Sequence, residues 1–352
     1  MSEKYDEQTL SYLKDLYGAD RRNHAFGGDS LSDFKNWTHN ARPALRELIG
    51  LNRIRKDAGH FTPSFELQDA EQLPDYTRQK WIMETEPGFE VPFWFLEPAN
   101  DGPHPLAIFP HGHYSKNGLD CALGIADTPE MAEKIEKQDR DVAIQALRRG
   151  FAAIAPATRG FHPADIPDVT GRHGKRDCRS HLMHSLLAGR TVIGERVWDL
   201  ERLIGWASER TEIDTSEVLM MGNSGGGVAT LYAAACDERV TTAVVSCSFC
   251  PYVGKNGKLH HCDCNIVPGV MRFGGIHDVA GLICPRRLLI INGREDALFP
   301  PSEVDRAVSG AEKIFQAAGA EQNFRHCYGS EGHRFYADLM WPWVMETGKN
   351  KE

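Results

Sequence analysis

The segment Val218–Ala235 reads VLMMGNSGGGVATLYAAA. Its first four residues form a continuous apolar run, as expected of a strand buried on both faces. Val228, Leu231, Tyr232 and Ala235 then recur at helical spacing. Between strand and helix stand Gly222, Asn223, Ser224, Gly225 and Gly226, a G-x-S-x-G pattern. A serine held in a strained strand-to-helix turn lifts its hydroxyl above the sheet, and glycines on either side let strand and helix approach. The helix that follows directs free N–H groups and the positive end of its dipole at the same place, which favours an oxyanion there. A phosphate-binding loop would carry a lysine after the glycines, whereas Val228 stands here.

Working outward, buried strands and amphipathic helices alternate from residue 105 to the end. PLAIFP (105–110), FAAIAP (151–156), TAVVS (242–246) and the run from Arg287 to Asn292 read as strands. The segments 139–149, 189–210 and 302–318 read as helices, residues 323–328 as a last strand, and the stretch after Gly332 as a C-terminal helix. Such alternation predicts an α/β fold with a mostly parallel central sheet and helices on both faces. Residues 76–86 and 89–97, joined at Pro87-Gly88, predict an antiparallel edge hairpin. Residues 1–75 read as a helical N-terminal extension and 76–352 as the catalytic domain, with loop insertions near 157–188 and 249–285. In the extension, Ser32–Leu51 is the clearest helix, with Pro43 marking a break and Gly50 a stop. The extension is expected to pack on the main domain or on a second copy of the chain, which leaves a homo-oligomer open.

A serine hydroxyl is a poor nucleophile unless a base lies in reach and a third group holds that base. Asp296 follows the strand at 287–292 and His333 follows the strand at 323–328. Both therefore fall at carboxyl ends of strands, the edge of an α/β sheet where ligands bind. Glu295 is the rival acid next door, and of two adjacent side chains only one can reach the histidine, with Asp296 favoured. His326, mid-strand, and His277 are the rival histidines, and the place of His333 after a glycine just beyond a strand favours it. The loop after PLAIFP, His111-Gly112-His113-Tyr114, should supply a second oxyanion donor, the N–H of His113, to pair with that of Gly225. Arg159 and Asp199 are expected to hold loops near the turn. Phe161, His162, Phe249, Tyr252 and Phe273 are candidate pocket walls, because loops between strands and helices carry specificity.

Composition bounds the partners. A net charge of -9 argues against nucleic acid, since no basic excess exists to neutralise phosphates; the most basic run, Arg172–Arg179, also contains Asp177. No apolar run approaches a membrane span, and the acidic N-terminus lacks the apolar centre of a signal peptide. Nine scattered cysteines, mostly in apolar contexts, suggest reduced thiols and a cytoplasmic location. His260, His261, Cys262, Asp263 and Cys264 form a dense group of ligand types. They lack the paired spacing of a structural zinc site, so the group reads as a loop at the mouth of the site, with no metal or cofactor expected.

Together the pieces FPHGH (109–113), RRGFAAIAPATRGF (148–161), GRTVIGERVWDLERLIGWA (189–207), GNSGGG (222–227), the run 265–300 and GSEGHRF (329–335) resemble the α/β-hydrolase superfamily. The resemblance is to its acetyl-xylan-esterase-like and dienelactone-hydrolase-like branch, with serine in place of the cysteine nucleophile of dienelactone hydrolases. It implies Ser224 as nucleophile, Asp296 as acid and His333 as base, in the chain order usual for that fold. It also implies a small-molecule ester substrate with an acetyl or other short acyl group, esters of carbohydrates among them. A peptidase or amidase with the same triad, and a non-catalytic binding protein on the same fold, are the alternatives.

Overall fold

The computed structural model describes residues 2–18, 21–113, 118–161 and 177–346. Of the residues singled out above, Tyr114, His162 and 172–176 of the basic run lie outside these. Three helices, α1 (Ser2–Leu16), α2 (Leu31–Leu48) and α3 (Leu51–Ala58), precede nine strands of one sheet. The strands are β1 (Ser64–Gln72), β2 (Tyr76–Glu86), β3 (Phe89–Pro98), β4 (His104–Ile108), β5 (Ala152–Pro156), β6 (Ile213–Asn223), β7 (Thr242–Ser246), β8 (Arg287–Gly293) and β9 (Phe324–Gly329). Their order across the sheet is β1-β2-β3-β5-β4-β6-β7-β8-β9. The pairs β1–β2, β2–β3 and β3–β5 are antiparallel, and all pairs from β5–β4 to β8–β9 are parallel.

Alternation along the central strands explains why both faces are covered. Leu106, Ile108, Val218, Met220, Val245, Leu288 and Ile290 point into one core, together with the helices α8 (Val192–Ser208), α9 (Gly225–Cys236) and α12 (Pro301–Ala317). Ala107, Phe109, Leu219, Met221, Val244, Leu289 and Ile291 point into the other. That second core is closed by α6 (Val142–Leu147) and α13 (Ala337–Met345). Period-two burial of this kind removes each central strand from water on both sides.

Two expectations for the first 75 residues are corrected. Residues 64–72 are not helical: β1 adds an edge strand to β2, from Ser64 opposite Glu84 to Gln72 opposite Thr77. Its sequence, SFELQDAEQ, is almost wholly exposed, so no apolar period marked it; backbone pairing with a long neighbour defines it instead. The break also lies at Gly50 rather than Pro43. Helix α2 runs through Pro43, and Gly50, at φ 86°, begins α3. Glycine takes that left-handed conformation without a steric penalty, while α2 is held by tertiary contacts. Ala41, Leu45 and Ile49 are fully buried in the same core as α8 and α9. Arg42 donates to the carbonyls of Ala235 at 3.0 Å and Leu282 at 2.7 Å, and Thr191 Oγ1 donates to that of Ile49 at 2.6 Å.

The insertions hold more structure than their sequence suggested. Asp177–Leu187 forms α7, and the segment 249–285 contains a 3-10 turn (Asp263–Asn265) and the helices α10 (Val270–Phe273) and α11 (Ile276–Gly281). Two further helices, α4 (Gly118–Cys121) and α5 (Pro129–Lys137), lie between β4 and β5. No helix among the described residues is long and apolar enough to cross a membrane.

Candidate active site

The chain runs from β4 to β5 on one side and returns to β6 on the other. The crevice at the carboxyl ends of β4 and β6 is therefore a topological switch point, where α/β sheets bind ligands. Ser224 sits there, between β6 and α9, at φ 58° and ψ −124°. A non-glycine residue at positive φ is strained and persists only where its surroundings fix it. Here its N–H donates to the Ser246 carbonyl at 2.9 Å, and its own carbonyl accepts from Val228 at 3.1 Å. The glycines are required by contact. A Cβ at Gly222 would lie 2.3 Å from the Gly226 carbonyl carbon, and one at Gly226 would lie 2.0 Å from the Pro110 oxygen.

Asp296 and His333 are joined directly: His333 Nδ1 lies 2.7 Å from Asp296 Oδ2. Asp296 is buried, and its second oxygen accepts from the Leu298 N–H at 2.9 Å; Glu295 is exposed. The parallel register carries Ser224 to the same edge, since Asn223 pairs with Ser246, Ser246 with Ile291, and Gly293 with Gly329. Ser246 also bridges the two halves, donating to Asn223 Oδ1 at 2.9 Å and approaching the Arg334 carbonyl, next to His333, at 3.4 Å. His326 lies within β9 against Tyr328, and burial lowers it to about 4. Cys247, one of the cysteines that the sequence places in an apolar context, is another positive-φ residue at 42° and stands behind the pair with Sγ 3.3 Å from the Arg334 carbonyl. Burial and the Asp296 charge push this thiol up to about 11, so it is a neutral packing group.

The loop after β4 is pressed against the elbow. A Cβ at Gly112 would lie 2.8 Å from the Asn223 oxygen and 3.2 Å from the Gly225 nitrogen. His111 fixes this loop: Nε2 accepts from the Thr158 N–H at 3.0 Å, which leaves Nδ1–H to donate to the Gly112 carbonyl at 2.8 Å. Phe161 covers the elbow from the side. Its ring stands 4.0 Å from that of His113, and its edge would meet a Cβ at Gly225 at 2.3 Å. Arg196, almost fully buried, stacks on the same ring at 3.8 Å and donates to the Arg159 carbonyl and to Asn265 Oδ1, both at 2.8 Å. By contrast, Phe249, Tyr252 and Phe273 are buried in the core.

Arg159 and Asp199 form a bidentate pair, with Nε and Nη2 each 2.7 Å from a carboxylate oxygen. Glu86 adds a contact at 2.8 Å. Burial alone would lower the Arg159 pKa, but the charges of Asp199, Glu195 and Glu86 outweigh it and hold the guanidinium above its ordinary value. The pair clamps the loop after β5 to α8.

The dense group at 260–264 divides. His261 Nε2 bonds the Cys250 carbonyl at 2.7 Å, and burial lowers its pKa to about 4. His260 Nδ1 lies 3.3 Å from the Leu298 carbonyl. Cys262 and Cys264 turn the other way and meet His113 and Cys178, the four ligand atoms lying within 4.8 Å of one another. Local spacing could not reveal this, because two of the four come from segments far away in the chain.

No family model matches the chain. In sequence it is 23% identical over 248 residues to "Putative hydrolase YtaP" of Bacillus subtilis (strain 168), a match covering 69% of this chain and 78% of that protein. In structure it resembles "a putative acetyl xylan esterase (BF1801)" from Bacteroides fragilis NCTC 9343, with a TM-score of 0.74 at 17% identity over 92% of this chain and 90% of that one. A glucuronoyl esterase from Solibacter usitatus gives a TM-score of 0.58 at 14% identity, over 89% and 92% respectively. The chain has the α/β-hydrolase fold, as the sequence resemblance implied, and its structural neighbours are esterases.

Proposed function

We propose that the protein is a serine carboxylic-ester hydrolase that works through an acyl-enzyme. The observation that carries this reading is the Asp296–His333 hydrogen bond at 2.7 Å, on the strand-end edge that also holds the strained Ser224 elbow. With Nδ1–H donated to Asp296, His333 Nε2 is the nitrogen that accepts a proton. Ser224 Oγ attacks the ester carbonyl as its proton passes to Nε2. The tetrahedral oxyanion is held by the N–H groups of Gly225 and His113, each worth roughly 3 kcal/mol. The imidazolium then protonates the departing alcohol, and the acyl group remains on Ser224. Water attacks that ester with His333 again as base, releasing the acid and restoring the serine hydroxyl.

Two observations support a short acyl group on a carbohydrate alcohol. Phe161 closes the side of the elbow nearest Gly225, and one structural neighbour bears the name of an acetyl xylan esterase. The test is a substrate panel of p-nitrophenyl acetate and octanoate, acetylated xylo-oligosaccharides and an aminoacyl-amide. Expected is a kcat/KM for acetate at least about tenfold above that for octanoate, with release of acetate from the oligosaccharide. Cleavage of the amide in preference to every ester would contradict it.

A further inference from the structure

We propose that His113, Cys178, Cys262 and Cys264 together bind one zinc ion as a closed tetrahedral site. Three chain segments meet here: the loop after β4, the first turn of α7 and the 3-10 turn at 263–265. Three of the nine cysteines and one histidine converge so that all four ligand atoms lie within 4.8 Å of one another. Zinc–sulfur bonds of about 2.3 Å and zinc–nitrogen bonds of about 2.0 Å set a tetrahedral sulfur-to-nitrogen edge of about 3.5 Å. Cys264 Sγ lies 3.6 Å from His113 Nε2.

The donor set selects the metal class. Three sulfurs and an imidazole disfavour magnesium and calcium, which take oxygen ligands, and suit a borderline-soft ion content with four tetrahedral ligands. Three thiolates around a divalent cation leave one net negative charge. The nearby positive charge is that of the buried Arg196 guanidinium, which donates to Asn265 Oδ1 at 2.8 Å; without metal the Cys264 thiol donates to the same oxygen at 3.6 Å, a proton that zinc would displace. Cys178 and Cys264 are buried, Cys262 is half-buried and His113 is exposed, so the cluster opens to solvent on one side. All four positions are filled by side chains, which is the pattern of a structural site rather than a catalytic one.

Such an ion would tie the loop after β4 to both insertions. In so far as the hydrolase reading above holds, it would fix the backbone of His113, which that mechanism uses as an oxyanion donor. The two readings separate by experiment. The full chain, purified under reducing conditions without chelator, is analysed for metal by mass spectrometry and then reconstituted with Co²⁺. One zinc per chain is expected, and the Co²⁺ form should show intense visible bands of tetrahedral geometry with thiolate charge transfer in the near ultraviolet. The Cys262→Ser/Cys264→Ser double variant should lose both signals, and Ser224→Ala should keep them. Three freely titrating thiols with no bound metal, a disulfide among the three, or a weak octahedral Co²⁺ spectrum would overturn the proposal. So would full zinc content in the double variant. If that variant does not fold, the wild-type Co²⁺ spectrum alone decides. Zinc bound by a chain that hydrolyses no ester would contradict only the hydrolase reading.

Discussion

Ser224→Ala is expected to lower kcat for p-nitrophenyl acetate by roughly 10⁶-fold, with KM little changed. The hydroxyl is the atom that the proposed mechanism makes covalent with the acyl group. It sits at a φ of 58° that no packing role would demand of a serine. Alanine has the same backbone restrictions and removes only the oxygen, so the strained turn and its hydrogen bond to Ser246 should survive. Circular dichroism and the denaturant midpoint should therefore match the wild type. Retention of more than a small fraction of the rate would mean that Ser224 is not the nucleophile. Cys247, the nearby thiol, is no substitute, because burial and the Asp296 charge keep it protonated.

Asp296→Asn is expected to lower kcat by about 10⁴-fold while leaving the fold intact. The carboxylate accepts the Nδ1–H of His333, which leaves Nε2 free to take the serine proton. An amide nitrogen at that position would donate instead and favour the opposite tautomer, with a hydrogen on Nε2 where the base is needed. The carboxylate also stabilises the imidazolium, and a neutral amide does not. Glu295→Gln is the control, since that side chain is exposed while Asp296 is buried. Steady-state kinetics on the two variants should separate them by several orders of magnitude. An inactive Glu295→Gln beside an active Asp296→Asn would reverse the assignment of the acid.

Local chemistry explains what was legible in the sequence. The central strands are short apolar runs bounded by turns, and the elbow carries its own steric signature, so the parallel sheet and the place of Ser224 could be read from residues alone. Asp296 and His333 were legible because each follows a strand by a few residues. The strand at 64–72 was not, because an exposed edge strand is defined by the partner it pairs with rather than by an apolar period. The same holds for Arg196, whose role depends on Phe161, Asn265 and the Arg159 carbonyl meeting in space. The thiol cluster is the sharpest case. Cys262 and Cys264 alone lack the spacing of a metal site, and only the fold brings Cys178 and His113 to complete four.

Covalent trapping tests the central claim most directly. The full chain is incubated with a fluorophosphonate ester, which mimics the tetrahedral intermediate, and digested for peptide mass spectrometry. The account predicts a single stoichiometric adduct on Ser224, absent from Ser224→Ala and formed far more slowly by His333→Ala. An unlabelled chain, or an adduct on any other residue that survives Ser224→Ala, would contradict it.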